Sequence, residues 1–214
     1  MRKTLVPLLL SVLCGCVPLM EERIHATSTP GVEEIPDTIA IYPLLSAEMA
    51  RPHAIEERMH DAVSTSAKED RMYIVPPVET KLAVTMQSQM LTSLLAAELS
   101  RRGFALKEIP VETPEGGYGQ EQNVFFVSLA SLNQLREKYG FRAVLVGNAY
   151  FIPDKENPLD FNVGAAFLRV VDIGTLDVLC HVTLTDTYGG DTLEDVARGF
   201  AQVLAQKASL APAQ

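Results

Sequence analysis

The ten residues from Ala143 to Ile152 are almost all apolar, and this run limits the possible folds more than any other part of the chain. A strand that is apolar on both faces has to be covered on both sides, as in the centre of a layered sheet. We therefore expect this segment to be the middle strand of a sheet with other elements packed against it.

Other short segments rich in β-formers predict strands around that centre. Phe161–Val171 and Val178–Thr185 are separated by Asp172, Ile173, Gly174 and Thr175, a turn-forming set that predicts an antiparallel hairpin. The remaining predicted strands are Thr38–Tyr42, Met72–Val75 and Phe104–Ile109.

Apolar residues at helical spacing predict a long helix before the strand at Phe104. Its stripe includes Met86, Met90 and Leu91 and continues to Leu99, and Gly103 supplies a left-handed cap. A further helix is expected in the charged segment between Ser46 and Pro77. It starts near Pro52, and its apolar positions are Ile55, Met59, Ala62 and Val63.

Two more helices are predicted in the second half of the chain. One has Ser128 as its cap and stops at Gly140, and the other begins with a capping box formed by Asp191 and Glu194. The expected fold class is therefore α/β (α+β): a mixed β-sheet with helices packed on it and a C-terminal β-hairpin followed by a helix.

The N-terminus has the pattern of a secretory signal. Arg2 and Lys3 precede an apolar stretch from Leu5 to Leu13, which is too short to cross a bilayer as a permanent helix. We expect this segment to be removed from the mature protein.

The signal ends in Leu13, Cys14, Gly15 and Cys16, and this ending resembles the lipobox of bacterial lipoproteins. The resemblance implies that Cys16 carries lipid, palmitate among the acyl groups, and that this lipid holds the protein at a membrane. An ordinary signal peptide that happens to contain cysteines is the alternative. Val17 follows Cys16, where an aspartate would resemble an inner-membrane retention signal, so the expected location is the inner leaflet of the bacterial outer membrane, facing the periplasm.

These features predict four segments. Residues 1–15 form a lipoprotein signal peptide, residues 16–37 a lipidated N-terminus with a flexible tether, residues 38–208 one periplasmic α/β domain, and residues 209–214 a disordered tail.

The acidic charge balance bears on the choice of partners. The chain has a net charge of −9, and loss of Arg2 and Lys3 with the signal leaves 16 basic against 27 acidic residues, a net charge of −11. Nucleic-acid binding and electrostatic adhesion to anionic lipid both need a basic surface, so neither is expected. The membrane, reached through the lipid, and other envelope proteins are the expected partners, and a homo-oligomer is left open.

No group of residues predicts catalysis, a metal or a cofactor, and we expect the protein not to be an enzyme. Cys180 lies in the apolar phase of a predicted strand, as a small buried residue does. The other groups considered are most simply solvated surface or loop residues, namely His53, Glu56, Glu57 and His60, the acidic set Asp154, Glu156 and Asp160, and the glycine-rich stretch Gly116, Gly117, Tyr118 and Gly119.

Four stretches resemble one superfamily of bacterial envelope lipoproteins. They are IAIYPLL from Ile39, LLAAELSRRGF ending at Phe104, YGFRAVLVGNAYF from Tyr139 to Phe151, and FLRVVDIGTLDV from Phe167 to Val178. The superfamily contains the curli secretion lipoprotein, the flagellar accessory lipoprotein and the lipoprotein activators of penicillin-binding proteins. The matching residues are apolar or turn residues, so the resemblance implies a fold that binds envelope proteins.

The loops favour the flagellar accessory type among these. The connections Pro153–Asp160 and Pro110–Gln122 are charged or glycine-rich, whereas a membrane-spanning hairpin needs about 10 alternating residues in each strand. The resemblance therefore implies a non-enzymatic assembly or accessory factor of an envelope structure. An oligomeric curli-type channel subunit and an activator of a cell-wall synthase are the alternatives, and the insertion from Ser46 to Pro77 has no assigned role.

Overall fold

The structure is a computed structural model that describes residues 24–28, 34–48, 63–66, 71–74, 81–109, 119–121, 124–153, 160–184 and 191–208. This part of the chain forms thirteen strands and three helices. The strands are β1 Ile24–Ser28, β2 Thr38–Ile41, β3 Leu45–Glu48, β4 Val63–Ser66, β5 Arg71–Ile74, β6 Lys81–Ala83, β7 Ala105–Glu108, β8 Gly119–Glu121, β9 Val124–Ser128, β10 Ala143–Pro153, β11 Phe161–Asp172, β12 Val178–Leu184 and β13 Asp191–Thr192. The helices are α1 Met86–Arg101, α2 Leu129–Tyr139 and α3 Leu193–Lys207.

The predicted fold class is confirmed, with β10 at the centre of a mixed nine-stranded sheet ordered β1-β12-β11-β10-β2-β7. β10 pairs antiparallel with β11 along its whole length. On its other side it pairs parallel first with β2 and then with β3. Residues Ala143–Ala149 are all buried, as expected for a strand with layers on both faces.

Each face of this sheet has its own core. On one face, α1 and α3 pack on the sheet, and Leu95 and Phe200 from the helices join Leu145 and Leu168 from the strands. The opposite face carries α2 and a second sheet ordered β4-β5-β9-β8. There Met72, Val127 and Leu132 join a core with Tyr42, Val144 and Val146.

The strand directions define two ends of the large sheet. β11 begins at Phe161, and β13 pairs beside it, with Thr192 opposite Asn162. β1 runs in the same direction as β11, from the level of Ala166 to the level of Val170, because Ile24 and Ser28 lie opposite Leu184 and Cys180. We call the end where β11 begins the β1 end, because β1 runs away from it. The opposite end is where Ala143 pairs with Asp172.

The turn residues act largely as the sequence predicts. The Asp172 carboxylate accepts hydrogen bonds from the backbone N–H groups of Gly174 and Thr175 at 2.7 and 2.9 Å, which fixes the hairpin turn. Gly103 and Gly140 have φ values of 95° and 75°, so both occupy the left-handed region at the ends of helices. Ser128 is the N-cap residue of α2, although its hydroxyl makes no capping hydrogen bond to that helix.

The structure corrects the prediction of a flexible tether at Ile24–Ser28. These residues form β1, an edge strand that pairs with all of Cys180–Leu184. The sequence IHATS has few apolar residues, but Ile24 is only 5% exposed and Ala26 packs against the core, so the inward phase of the strand is apolar. Most of the other residues of the predicted tether, 16–37, lie outside the described residues.

Two local predictions are wrong. Val63, assigned to a helix, begins β4 and pairs with Ile74. The rest of that predicted helix, from Pro52 to Ala62, lies outside the described residues. The cap of α3 is Thr192 rather than Asp191, and its hydroxyl accepts a hydrogen bond from the N–H of Asp195 at 3.2 Å. Both positions have Asp or Glu three residues later, so the capping pattern alone does not fix which one starts the helix.

Candidate functional site: a groove at the β1 end

The predicted lipidation site lies outside the described residues. This is true of Leu13, Cys14, Gly15 and Cys16, so lipid on Cys16 stays a prediction. The helical candidates His53, Glu56, Glu57 and His60 are also outside, as are Asp154, Glu156, Gly116, Gly117 and Tyr118. Of the remaining candidates, Gly119 belongs to β8, and Asp160 lies at the groove described next.

A groove of about 360 Å³ opens at the β1 end between the beginnings of α1, α3 and β11. We call it the methionine groove. Its lining residues are Met86, Gln87, Met90, Asp160, Phe161, Asn162, Thr192, Leu193 and Glu194.

Local hydrogen bonds fix the two helix starts that form the walls. Thr85 and Ser88 make a reciprocal capping box, in which the Thr85 hydroxyl accepts from the Ser88 N–H at 3.2 Å and the Ser88 hydroxyl accepts from the Thr85 N–H at 2.9 Å. At α3, the Thr192 hydroxyl caps the helix and also donates to the Asp195 carboxylate at 2.8 Å. These caps hold the first turns of both helices beside the beginning of β11.

The most exposed large apolar side chains of the described chain lie in this groove. Met86 is 69% exposed and Met90 is 52% exposed. The sequence placed both in one apolar stripe with Leu91 and Leu99, but this is corrected by the structure. At about 100° per residue, Met86 and Met90 point away from the face that buries the leucines.

The charges of the lining are acidic. Asp160 and Glu194 stand beside the apolar side chains, and the other lining residues are uncharged. A surface that combines methionine with carboxylates favours an apolar partner that carries little negative charge.

A second polar feature lies on the face of the sheet opposite α1 and α3. Arg169 is 6% exposed and pairs across the strands with His181, and Asn148 is 2% exposed on β10. Among the described residues, none donates a hydrogen bond to the Asn148 side-chain oxygen, and an unpaired oxygen in a buried position costs stability. The sequence patterns did not identify Arg169 or Asn148 as buried polar residues.

Cys180 is buried, as the sequence predicts. Burial raises the pKa of its thiol to about 11, and this outweighs the opposite effects of Lys207 and of a hydrogen bond from Ser28. A thiol in this environment stays protonated near neutral pH and is a poor nucleophile.

The described residues form neither a metal-binding cluster nor a membrane-spanning helix. Within the described ranges, no three His, Cys, Asp or Glu side chains come together in a way that could hold a metal ion. In the same part of the chain, none of the helices combines the length and the apolar character that crossing a membrane requires.

Comparison with known proteins gives weak matches only. No family model matches the chain, and no curated protein matches it. Among solved structures, a PelC dodecamer from Paraburkholderia phytofirmans is 16% identical with a TM-score of 0.44, over 85% of this chain and 94% of that one. A single-substitution variant of the same PelC dodecamer is also 16% identical with a TM-score of 0.44, over 86% of this chain and 97% of that one. Similarity at this level assigns no family, so the resemblance to the curli and flagellar lipoproteins stays a prediction.

Proposed function

We propose that the chain is a bacterial outer-membrane lipoprotein whose periplasmic domain serves as a non-enzymatic accessory factor of an envelope structure. The observation that carries this proposal is the series Leu13, Cys14, Gly15 and Cys16 directly after a short apolar segment with a basic start. A cysteine in that position is the acceptor of lipid in bacterial lipoproteins, and it makes the folded part a membrane-anchored domain.

The position of β1 supports an anchored domain. Seven residues, Val17–Arg23, separate Cys16 from Ile24, where the sheet begins. At full extension the eight Cα steps reach ~27 Å, which is less than the thickness of a bilayer with its headgroups. The domain therefore works close to the membrane that holds Cys16.

The chemistry of the domain supports binding rather than catalysis. Its cysteine outside the signal region, Cys180, is buried and has a raised pKa. The mature net charge of −11 disfavours nucleic acid and anionic lipid surfaces. Other envelope proteins are the partner class that suits such a domain, in line with the resemblance to accessory lipoproteins.

Two cysteine variants test the anchor. Cells that express Cys16→Ala, Cys14→Ala or the unchanged protein are grown with radiolabelled palmitate, and outer membranes are isolated on a density gradient. Cys16→Ala should abolish the label and remove the protein from the outer-membrane fraction. Cys14→Ala is the matched control, because it changes a neighbouring cysteine to another small residue and should leave both properties intact.

The accessory role has its own test. Proximity crosslinking in the native envelope, followed by identification of the trapped neighbours, should yield components of one envelope structure with the unchanged protein and lose them with Cys16→Ala. In the palmitate experiment, label that persists in Cys16→Ala would contradict the lipoprotein assignment. In the crosslinking experiment, an even scatter of unrelated neighbours would contradict the accessory role.

A further inference from the structure

We infer that the methionine groove faces the bilayer and that Met86 and Met90 contact its lipid surface. This inference rests on the proposed function, because it requires lipid on Cys16. It adds an orientation: the domain stands on the membrane with its β1 end down, and a specific pair of side chains reaches the lipid.

The first step is the place where the chain enters the sheet. Ile24 and Ala166 share one level of the sheet, since both lie opposite Leu184. Phe161 lies five residues further toward the β1 end, ~17 Å beyond that level at the usual rise of a strand. β1 runs away from the β1 end, so Ile24 is the residue of this strand nearest the groove.

The second step compares this distance with the length of the connecting chain. With seven residues between them, Cys16 lies at most ~27 Å from Ile24, and a random coil of eight Cα steps spans ~16 Å on average. When the β1 end faces the bilayer and the connection is fully extended, Ile24 lies ~27 Å from the membrane. The groove is ~17 Å nearer, so it lies ~10 Å or less from the lipid. A shorter connection brings the groove into contact.

The reverse orientation needs a longer path that also changes direction. Asp172 lies six residues from Ala166 on the other side, so the opposite end of the sheet is ~20 Å from the level of Ile24. A connection to a membrane at that end would have to reverse the direction of β1 and cover ~20 Å of its ~27 Å reach beside the domain. The shorter path without a reversal favours the β1 end.

The third step is the chemistry of the two ends. At the β1 end, Met86 and Met90 are exposed beside Phe161 and Leu193, and flexible apolar side chains of this kind enter the boundary between headgroups and acyl chains. The carboxylates of Asp160 and Glu194 make uncharged lipid the better surface. The opposite end instead carries charged residues of both signs, among them Arg136, Lys138 and Asp172, and is the less suitable end for contact with the apolar part of the bilayer.

Single-tryptophan variants test the orientation, because the chain contains no tryptophan. Met90→Trp and Met86→Trp report the groove. Tyr139→Trp is the matched control, since Tyr139 is 41% exposed and ends α2 at the opposite end of the sheet. Each acylated protein, purified from membranes, is reconstituted into phosphatidylcholine vesicles with brominated acyl chains, and circular dichroism confirms that it is folded.

Met90→Trp and Met86→Trp should show a blue-shifted emission that the bromine atoms quench about twofold, whereas Tyr139→Trp should be unaffected. Replacing a third of the lipid with phosphatidylglycerol should reduce quenching at the groove while vesicle flotation stays complete. Two results in protein that floats with vesicles would overturn the orientation: quenching at Tyr139→Trp, or quenching at none of the three positions. Either result would leave the lipoprotein assignment unchanged.

Two other outcomes are equally informative. A blue shift at Met90→Trp that grows with protein concentration and is not quenched would show that a second copy covers the groove, and it would overturn the lipid contact. Failure of the unchanged protein to float with vesicles would contradict the lipid anchor on Cys16. It would also contradict the orientation, which depends on that anchor.

Discussion

Ile24, the first residue of β1, lies opposite Leu184, the last residue of β12, and from this pair β1 runs away from the end of the sheet where α1 and α3 begin. The pairing joins a segment close to the predicted lipid to the C-terminal hairpin. It leaves seven residues, Val17–Arg23, between Cys16 and the first strand of the sheet.

The pairing predicts that Ile24 contributes to the stability of the domain. Ile24→Ala removes a side chain that is 5% exposed and should lower the free energy of unfolding by about 2 kcal/mol. His25→Ala, on the exposed phase of the same strand, should change it by less than about 0.5 kcal/mol. Urea unfolding followed by circular dichroism measures both, and equal stabilities would mean that β1 does not contribute to the sheet in solution.

Gly147 should be intolerant of a side chain. A Cβ at this position of β10 would lie 2.1 Å from the backbone oxygen of Phe167 and 2.8 Å from the Cδ2 atom of Leu168, in the centre of the sheet. We expect Gly147→Ala to cost about 3 kcal/mol, because the backbone of β11 cannot move aside.

Gly164→Ala is the control for that variant. Its Cβ would meet the Tyr150 ring at 2.9 Å, and a ring at the partly exposed end of the sheet can rotate away. The loss of unfolding free energy should therefore be clearly smaller than for Gly147→Ala. The opposite ranking in thermal unfolding would contradict the packing around β10.

Stability should fall at alkaline pH because of Cys180. Its thiol has a pKa of about 11 in the folded chain against 9.0 for an ordinary thiol, so the unfolded chain loses this proton first. The stabilisation is complete below pH 9 and disappears as the pH rises to about 11, by an amount on the order of 2 kcal/mol. Burial also raises the pKa of Tyr42, which acts in the same direction at higher pH.

Urea unfolding between pH 8 and pH 11 measures this change, and Cys180→Ala is the comparison. The variant starts from a lower stability because it leaves a cavity, but its stability should decline less steeply across this interval. Parallel pH profiles for the two proteins would show that the thiol does not carry the effect.

The sequence predicted those parts of the fold whose signals are local. The apolar run of β10 identifies a strand covered on both faces, and the turn at Asp172–Thr175 identifies the hairpin. Gly103 and Gly140 mark helix ends because their positive φ values are a property of the residue itself. None of these predictions requires knowledge of distant contacts.

The features that escaped depend on tertiary partners. β1 is a strand because β12 supplies its hydrogen bonds, and its own residues carry a weak β pattern. β9 went unpredicted, although the four apolar residues Val124–Val127 are a signal that could have revealed it. Met86 and Met90 were assigned to the buried stripe because an apolar residue near the start of a helix looks the same whether a neighbouring element covers it or not.

The proposed outer-membrane location depends on Val17. Val17→Asp places an acidic residue directly after the lipidated cysteine, as in the retention signal of inner-membrane lipoproteins. The variant should keep its acyl label and move from the outer to the inner membrane on a density gradient, while Val17→Ala should stay in the outer membrane. An outer-membrane position for Val17→Asp would contradict the sorting argument.

Mass spectrometry of the N-terminal peptide of the mature protein tests the central claim most directly. The account predicts a peptide that begins at Cys16 and carries the added mass of a diacylglycerol on the sulfur, with a further acyl chain on the amine in organisms that attach one. A mature protein that begins elsewhere, or at Cys16 without acyl groups, would contradict the lipoprotein assignment and the orientation built on it.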